Sequence, residues 1–167
     1  MALTKNPSTI PIPESARHSK KHMALLQNKK AYFNYEIIEK IEAGIELLGF
    51  EVKSLRGGHG SLDGSYITVS HAGVFLVGAH IPPYQPANTP ASYDPYRTRR
   101  LLLTKKEIES LAGFEKEKGL TMVPISVYNK GRNIKVEIGV ARGKKKYDKR
   151  QTLRKRDIER EVGRKLK

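Results

Sequence analysis

The chain of 167 residues has no cysteine. Disulfides and thiolate metal sites are therefore excluded, and the absence fits a reducing compartment. No stretch approaches the ~18 apolar residues that a membrane-spanning helix requires. Residues Met1 to Gln27 lack an apolar h-region and are broken by Pro7, Pro11 and Pro13, so no secretory signal is read there. Also missing are G-x-S-x-G, H-E-x-x-H and the P-loop, and Gly57-Gly58-His59-Gly60 lacks the Lys-Ser/Thr that would make it one. His18 and His22 are four apart with no carboxylate at metal spacing, and His59, His71 and His80 read as loop or strand-end residues. No internal repeat is visible. These absences argue against an enzyme: no catalytic residue, metal site or cofactor is expected. They leave open a nuclease whose residues are scattered along the chain.

Acidic residues are scarce at both ends, and what is present there is positive charge. The formal net charge is +15, with 32 Lys and Arg against 17 Asp and Glu. Residues 1–30 carry +5, residues 31–142 only +2, and residues 143–167 carry +8. A near-neutral globular middle between two basic arms binds a polyanion, either a nucleic acid or an acidic membrane. We expect three parts: a disordered basic arm at 1–26, one folded domain at 27–142, and a basic tail at 143–167 that is largely disordered until bound.

The middle reads mainly as strands. Ile134, Val136, Ile138 and Val140 alternate with Lys135, Glu137, Gly139 and Ala141, a half-buried strand. Thr121 to Tyr128 is a second, with Pro124 marking an edge or a bulge. Asn129 to Asn133 joins the two as a hairpin. Tyr66–Ser70 and Val74–Ile81 flank His71-Ala72-Gly73 as another hairpin. Phe33 to Leu47 fits either period, but β-branched and aromatic enrichment favours one long bent strand. A short helix is expected over Phe50 to Arg56. Pro82 to Pro95 reads as a long loop. Leu101-Leu102-Leu103 is read as a short buried run. Thr104 and Glu107 form a capping box for a helix to about Ala112. Short antiparallel strands with two or three short helices suggest a closed Greek-key barrel of the OB type.

The tail has order of its own. Ile158, Val162 and Leu166 recur every four residues, as do Arg156, Arg160 and Arg164, and on a helix the two stripes lie on opposite faces. Tyr147 sits inside the cationic run Lys144 to Arg150, where a ring can stack on an unpaired base while its neighbours neutralise phosphates. Three medium aliphatics without Trp or Phe are a weak membrane anchor, so nucleic acid is the favoured polyanion and no membrane partner is expected.

Four words carry a resemblance: Asn28-Lys29-Lys30-Ala31; Glu42 through Arg56; Arg97-Thr98-Arg99-Arg100-Leu101-Leu102-Leu103; and Gly143-Lys144-Lys145-Lys146-Tyr147-Asp148-Lys149-Arg150. In this order, over about residues 27–167, the chain resembles the SsrA-binding protein (small protein B) family. The resemblance implies an OB-like barrel with flanking helices. It implies binding to the tRNA-like domain of transfer-messenger RNA, delivery of that RNA to stalled ribosomes, no catalysis, and a cytoplasmic location. Elongation factor Tu would be reached only through the RNA. The tail would enter the small-subunit decoding centre and the empty mRNA path as a helix. The alternatives are a permanent ribosomal protein and an RNA-processing enzyme on the same barrel.

By resemblance, the barrel's RNA contacts are Asn28, Lys29, Glu42 and Leu102, with Lys130, Arg132 and Lys135 of the hairpin as phosphate contacts. By strand parity alone Glu42 is a solvent-facing residue; the other reading of Asn28 and Lys29 is the start of the first strand, and the sequence supports core burial of Leu102 as well as packing on RNA. A carboxylate in an RNA site accepts from base amino groups. Thr104 departs from the family, which commonly has Asn or His there, and its cap explains it. In the tail, Asp148-Lys149-Arg150 matches the family unchanged, while Tyr147 stands where many members carry His and cannot gain a proton near neutral pH. Gly143, Lys144 and Lys145 would track the rRNA backbone, and Arg156, Arg160 and Arg164 would line the helical part.

Overall fold

A computed structural model describes residues 23–145 and, beyond them, Asp148, Arg150, Leu153, Arg154 and Ile158. The elements run β1 (Ala24–Gln27), α1 (Lys29–Asn34), β2 (Tyr35–Ile45), α2 (Gly49–Arg56), β3 (Tyr66–Ser70), β4 (Gly73–Val77), β5 (Arg99–Leu102), α3 (Lys105–Lys116), β6 (Leu120–Lys130) and β7 (Asn133–Gly143). The sheet order is β1-β6-β3-β4-β5-β2-β7, and β6 also pairs with β7. Six strands therefore close into a ring, with β1 added outside on β6. Every pairing is antiparallel. The expected mainly-β class with short flanking helices is what the chain adopts.

Alternation fills the ring. Ile134, Val136, Ile138 and Val140 of β7 point inward with Val74 and Leu76 of β4, Leu101 of β5 and Ala43 of β2. Leu55 of α2 and Leu111 of α3 join this core, so both helices pack on it. Burying such a side chain contributes about 1.5–3 kcal/mol.

Pro124 marks a bulge, not an edge. The register of β6 against β7 shifts between Pro124 and Ser126, and β6 has strands on both sides. The extra residue lets Met122 and Val127, an odd number of positions apart, both face the main core. Val123 consequently faces outward, where it forms a second small core with Ala141 of β7 and Ala31 of α1. That patch is why α1 lies where it does.

Several expectations are corrected. The folded part begins at β1, before residue 27, because Ala24 to Gln27 add to β6. The long strand begins at Tyr35, not Phe33, since Asn28 caps a helix that the strand pattern concealed. Its irregularity lies between Ile37 and Glu39. β4 ends at Val77, and the loop 82–95 contains a short 3-10 turn, Pro86–Asn88. Leu101-Leu102-Leu103 is not a buried run: Leu101 is buried and Leu102 is 55% exposed. The capping box at Thr104 and Glu107 forms as expected, but α3 continues to Lys116. Leu111 and Phe114 lie on its packed face, which prolongs the helix beyond Ala112.

Candidate nucleic-acid interface

Period two sets the outer face of β2, β7 and β6. With Ile134, Val136 and Ile138 inward, Lys135 and Glu137 face out; so do Glu42 of β2, paired with Glu137, and Tyr128 of β6, paired with Lys135. The hairpin turns tightly through Gly131 at φ 63°, bringing Lys130 back opposite Asn133. A hairpin far along the chain thus folds its outward residues onto Glu42.

The Glu42 carboxylate accepts from Lys130 Nζ at 2.7 and 3.0 Å. It also accepts from the Tyr128 hydroxyl, and Lys135 Nζ lies 4.0 Å away. Partial burial opposes ionisation of Glu42, but the hydrogen bonds from Lys130 and Tyr128 and the charges of both lysines outweigh it, so its pKa is lowered. Burial and the bond to Glu42 push the Tyr128 phenol up, keeping it a donor. The Glu42 side chain remains 35% exposed. An acid thus neutralised by its neighbours does not repel a phosphate backbone, and its remaining lone pairs can accept from a base amino group.

Beside this cluster lies a groove of about 350 Å³, with Ile45, Leu47, Val52 and Leu102 among its apolar walls and Arg132 and Lys135 on its rim. Leu102 stands out of β5 over Gly44 of β2, its register partner. A Cβ at Gly44 would sit 3.1 Å from Leu102 Cβ, so glycine permits this close approach. Arg132 is held at the hairpin tip, where its carbonyl accepts from Arg56 at 3.1 Å. An apolar floor with a cationic rim can take a base or ribose with its phosphate.

Of the seven barrel residues expected at the interface, five therefore share one surface: Glu42, Leu102, Lys130, Arg132 and Lys135. Asn28 does not belong to it. It is 5% exposed, and its side chain caps α1 at Ala31 N while donating to the carbonyls of Leu62 and Pro124. Its polar atoms are used inside the fold. Lys29 is exposed on the first turn of α1. Tyr128 was missed; the signal was its parity with Lys130 on one outward face.

In the tail, Gly143 ends β7 opposite Tyr35. Lys144 is half-buried and Lys145 exposed, and Asp148 and Arg150 are exposed helical positions. Tyr147, Lys149, Arg156, Arg160 and Arg164 lie outside the described residues, as do the Val162 and Leu166 of the apolar stripe and all of the arm before Met23.

A second polar cluster was not foreseen. Glu51 of α2 has no exposed surface. It accepts from Arg99 Nε and Nη2 at 3.0 and 2.8 Å, Arg97 Nε at 2.9 Å, the Tyr93 hydroxyl at 2.9 Å and Leu48 N–H at 2.8 Å. Arg99, equally buried, also donates to the carbonyls of Ala79, Arg97 and Pro95. These bonds tie α2 and the proline-rich loop to β5, the strand that presents Leu102. Among the described residues, no group of three or more His, Asp or Glu could hold a metal ion, and no helix is long and apolar enough to cross a membrane.

The chain is 49% identical over 142 residues to the SsrA-binding protein of Burkholderia mallei strain SAVP1, covering 85% of this chain and 96% of that one. To the SsrA-binding protein of Chloroflexus aggregans it is 49% identical over 147 residues, covering 87% and 93%. A solved chain described as "tmRNA-SmpB: a journey to the center of the bacterial ribosome" superposes with a TM-score of 0.62 at 41% identity, covering 77% of this chain and 94% of that one. The family model described as SmpB protein matches residues 25–167, nearly the whole span from β1 to the end of the basic tail, and the chain belongs to that family.

Proposed function

We propose that this protein binds the tRNA-like domain of transfer-messenger RNA and delivers it to stalled ribosomes without performing a chemical step. Its relatives are named for binding SsrA RNA, and the solved relative is described with tmRNA in the bacterial ribosome. The observation that carries the reading is the convergence of Glu42, Lys130 and Lys135 beside a groove walled by exposed Leu102. It is a site for a base and its backbone, not a general anion trap. The near-neutral ring supplies discrimination, and the basic ends supply attraction. In this division the ring holds the RNA. The tail, led by Tyr147, Asp148, Lys149 and Arg150, enters the decoding centre, and Arg156, Arg160 and Arg164 line the mRNA path.

The test compares specific with nonspecific binding. Glu42→Ala should weaken the complex with the tRNA-like RNA far more than binding to an unrelated duplex. Equal weakening of both would make Glu42 purely structural. Truncation before Lys145 should leave most of the specific affinity and abolish peptide tagging on stalled ribosomes; normal tagging would sink the role given to the tail. Incubation of the RNA with the protein and divalent metal should leave the RNA intact.

A further inference from the structure

The root of the tail is fastened to the ring. β7 ends with Gly143 opposite Tyr35, the first residue of β2. The next backbone N–H, that of Lys144, donates to the Asn34 carbonyl at 2.9 Å. The Lys144 side chain then turns back, and its Nζ donates to the Tyr32 carbonyl at 3.0 Å. Tyr32 and Asn34 belong to the last turn of α1, where carbonyls have no helical N–H to accept from. A cation is favoured at this end by the helix dipole, and a lysine donor satisfies one of the free carbonyls.

The seat itself is rigid. Asn28 caps the start of α1 and ties it to Leu62 and Pro124. Ala31 is buried against Val123 and against Ala141, which lies two residues before the tail begins. The strand leading to the tail and the helix receiving it are therefore parts of one packed unit. A Cβ at Gly143 would meet nothing within 4 Å, so no crowding at that position steers the chain. The steering falls to Lys144.

We infer that Lys144 is a positioning residue: its ammonium, seated on the Tyr32 carbonyl in the last turn of α1, fixes the direction in which the basic tail leaves the ring. Lys144, expected like Lys145 to track the rRNA backbone, instead places its ammonium on the protein's own Tyr32 carbonyl in the free protein. A tail that must thread a channel while the ring holds RNA gains from a fixed departure angle, because fewer orientations are lost on engagement. That consequence rests on the function proposed above; the seat itself does not.

The absence of native cysteine makes the test clean. Spin labels at Glu109→Cys on α3 and Lys145→Cys at the root of the tail, both exposed positions, report the distance between ring and tail root in the free, full-length protein. With Lys144 present the distance distribution should be narrow. Lys144→Met removes the ammonium and keeps the length of the side chain. It should broaden the distribution at least about twofold, on the argument that an unseated chain samples many orientations. Affinity of the ring for the tRNA-like RNA, and its salt dependence, should not change. A distribution unaffected by Lys144→Met overturns the inference. So does a salt slope lowered by about 0.7–0.9 with the distribution unaltered, since that is the signature of one lost phosphate contact. Failure of the tail truncation to abolish tagging would refute the proposed function while leaving this distance measurement decisive for the seat.

Discussion

Removal of the Glu51 carboxylate should cost more stability than any other single truncation of an ionisable side chain in the ring. The Glu51 and Arg99 side chains have no exposed surface, and that of Arg97 is only 29% exposed. In Glu51→Ala the Arg99 guanidinium keeps its bonds to the carbonyls of Ala79, Arg97 and Pro95 but loses its counter-charge. An uncompensated buried charge costs about 3–5 kcal/mol. Measured against a typical domain stability of about 5–15 kcal/mol, that is a large share. With a urea m-value of about 2 kcal/mol per molar, the midpoint should fall by about 1.5–2.5 M at neutral pH. Arg99→Met should come close to this, while Arg97→Met should cost less, because Glu51 then keeps the fully buried partner. Burial opposes ionisation of Glu51, but the bonds from Arg97 and Leu48 and the charge of Arg99 lower its pKa nonetheless. A lowered folded pKa means that the stabilisation is complete above the unfolded carboxylate value of about 4.3 and is lost as pH falls through the folded value. The gap between wild type and Glu51→Ala should therefore narrow in acid. A midpoint shift under about 0.5 M at pH 7, or a gap that widens in acid, refutes the account.

Other outcomes follow from the same geometry. Tyr128→Phe removes a donor to Glu42, so the Glu42 carboxyl should titrate at higher pH than in the wild type, as followed by carboxyl-resolved NMR. Thr104→Ala should cost about 1 kcal/mol by thermal or urea unfolding, since the hydroxyl and Glu107 cap α3 reciprocally. Gly131→Ala places a Cβ on a residue at φ 63° and should cost about 1–2 kcal/mol in equilibrium unfolding, with hairpin amides exchanging faster. Raising salt from about 50 to 200 mM should weaken RNA binding steeply, in proportion to the number of phosphates neutralised.

Much of the ring was legible because strand alternation is a local signal. Ile134 to Val140, Tyr66 to Ser70 and the turn at Gly131 declare themselves in a few residues, as does the Thr104 capping box. Leu102 shows where that signal runs short. Three successive leucines look like core, yet a strand must turn one of each neighbouring pair outward, and only the pairing of Leu101 with Val74 shows which. Helix α1 was hidden because its six residues bury a single alanine, and a stripe that short has no readable period. Glu42 was named through a family word, and Lys130 and Lys135 as basic residues of a hairpin, but nothing local says that they touch.

Strand faces, basic ends and family could all be read along the chain. These depend on residue type and spacing over a few positions, or on words long enough to be specific. Tertiary structure decided the rest. It closed the ring through β6, buried the Asn28 side chain against the carbonyls of Leu62 and Pro124, buried Glu51 between two arginines, and seated Lys144 on the end of α1. Each of these joins residues tens of positions apart, and the pairing of such residues is fixed by the packing of the whole core rather than by the pattern of any one segment.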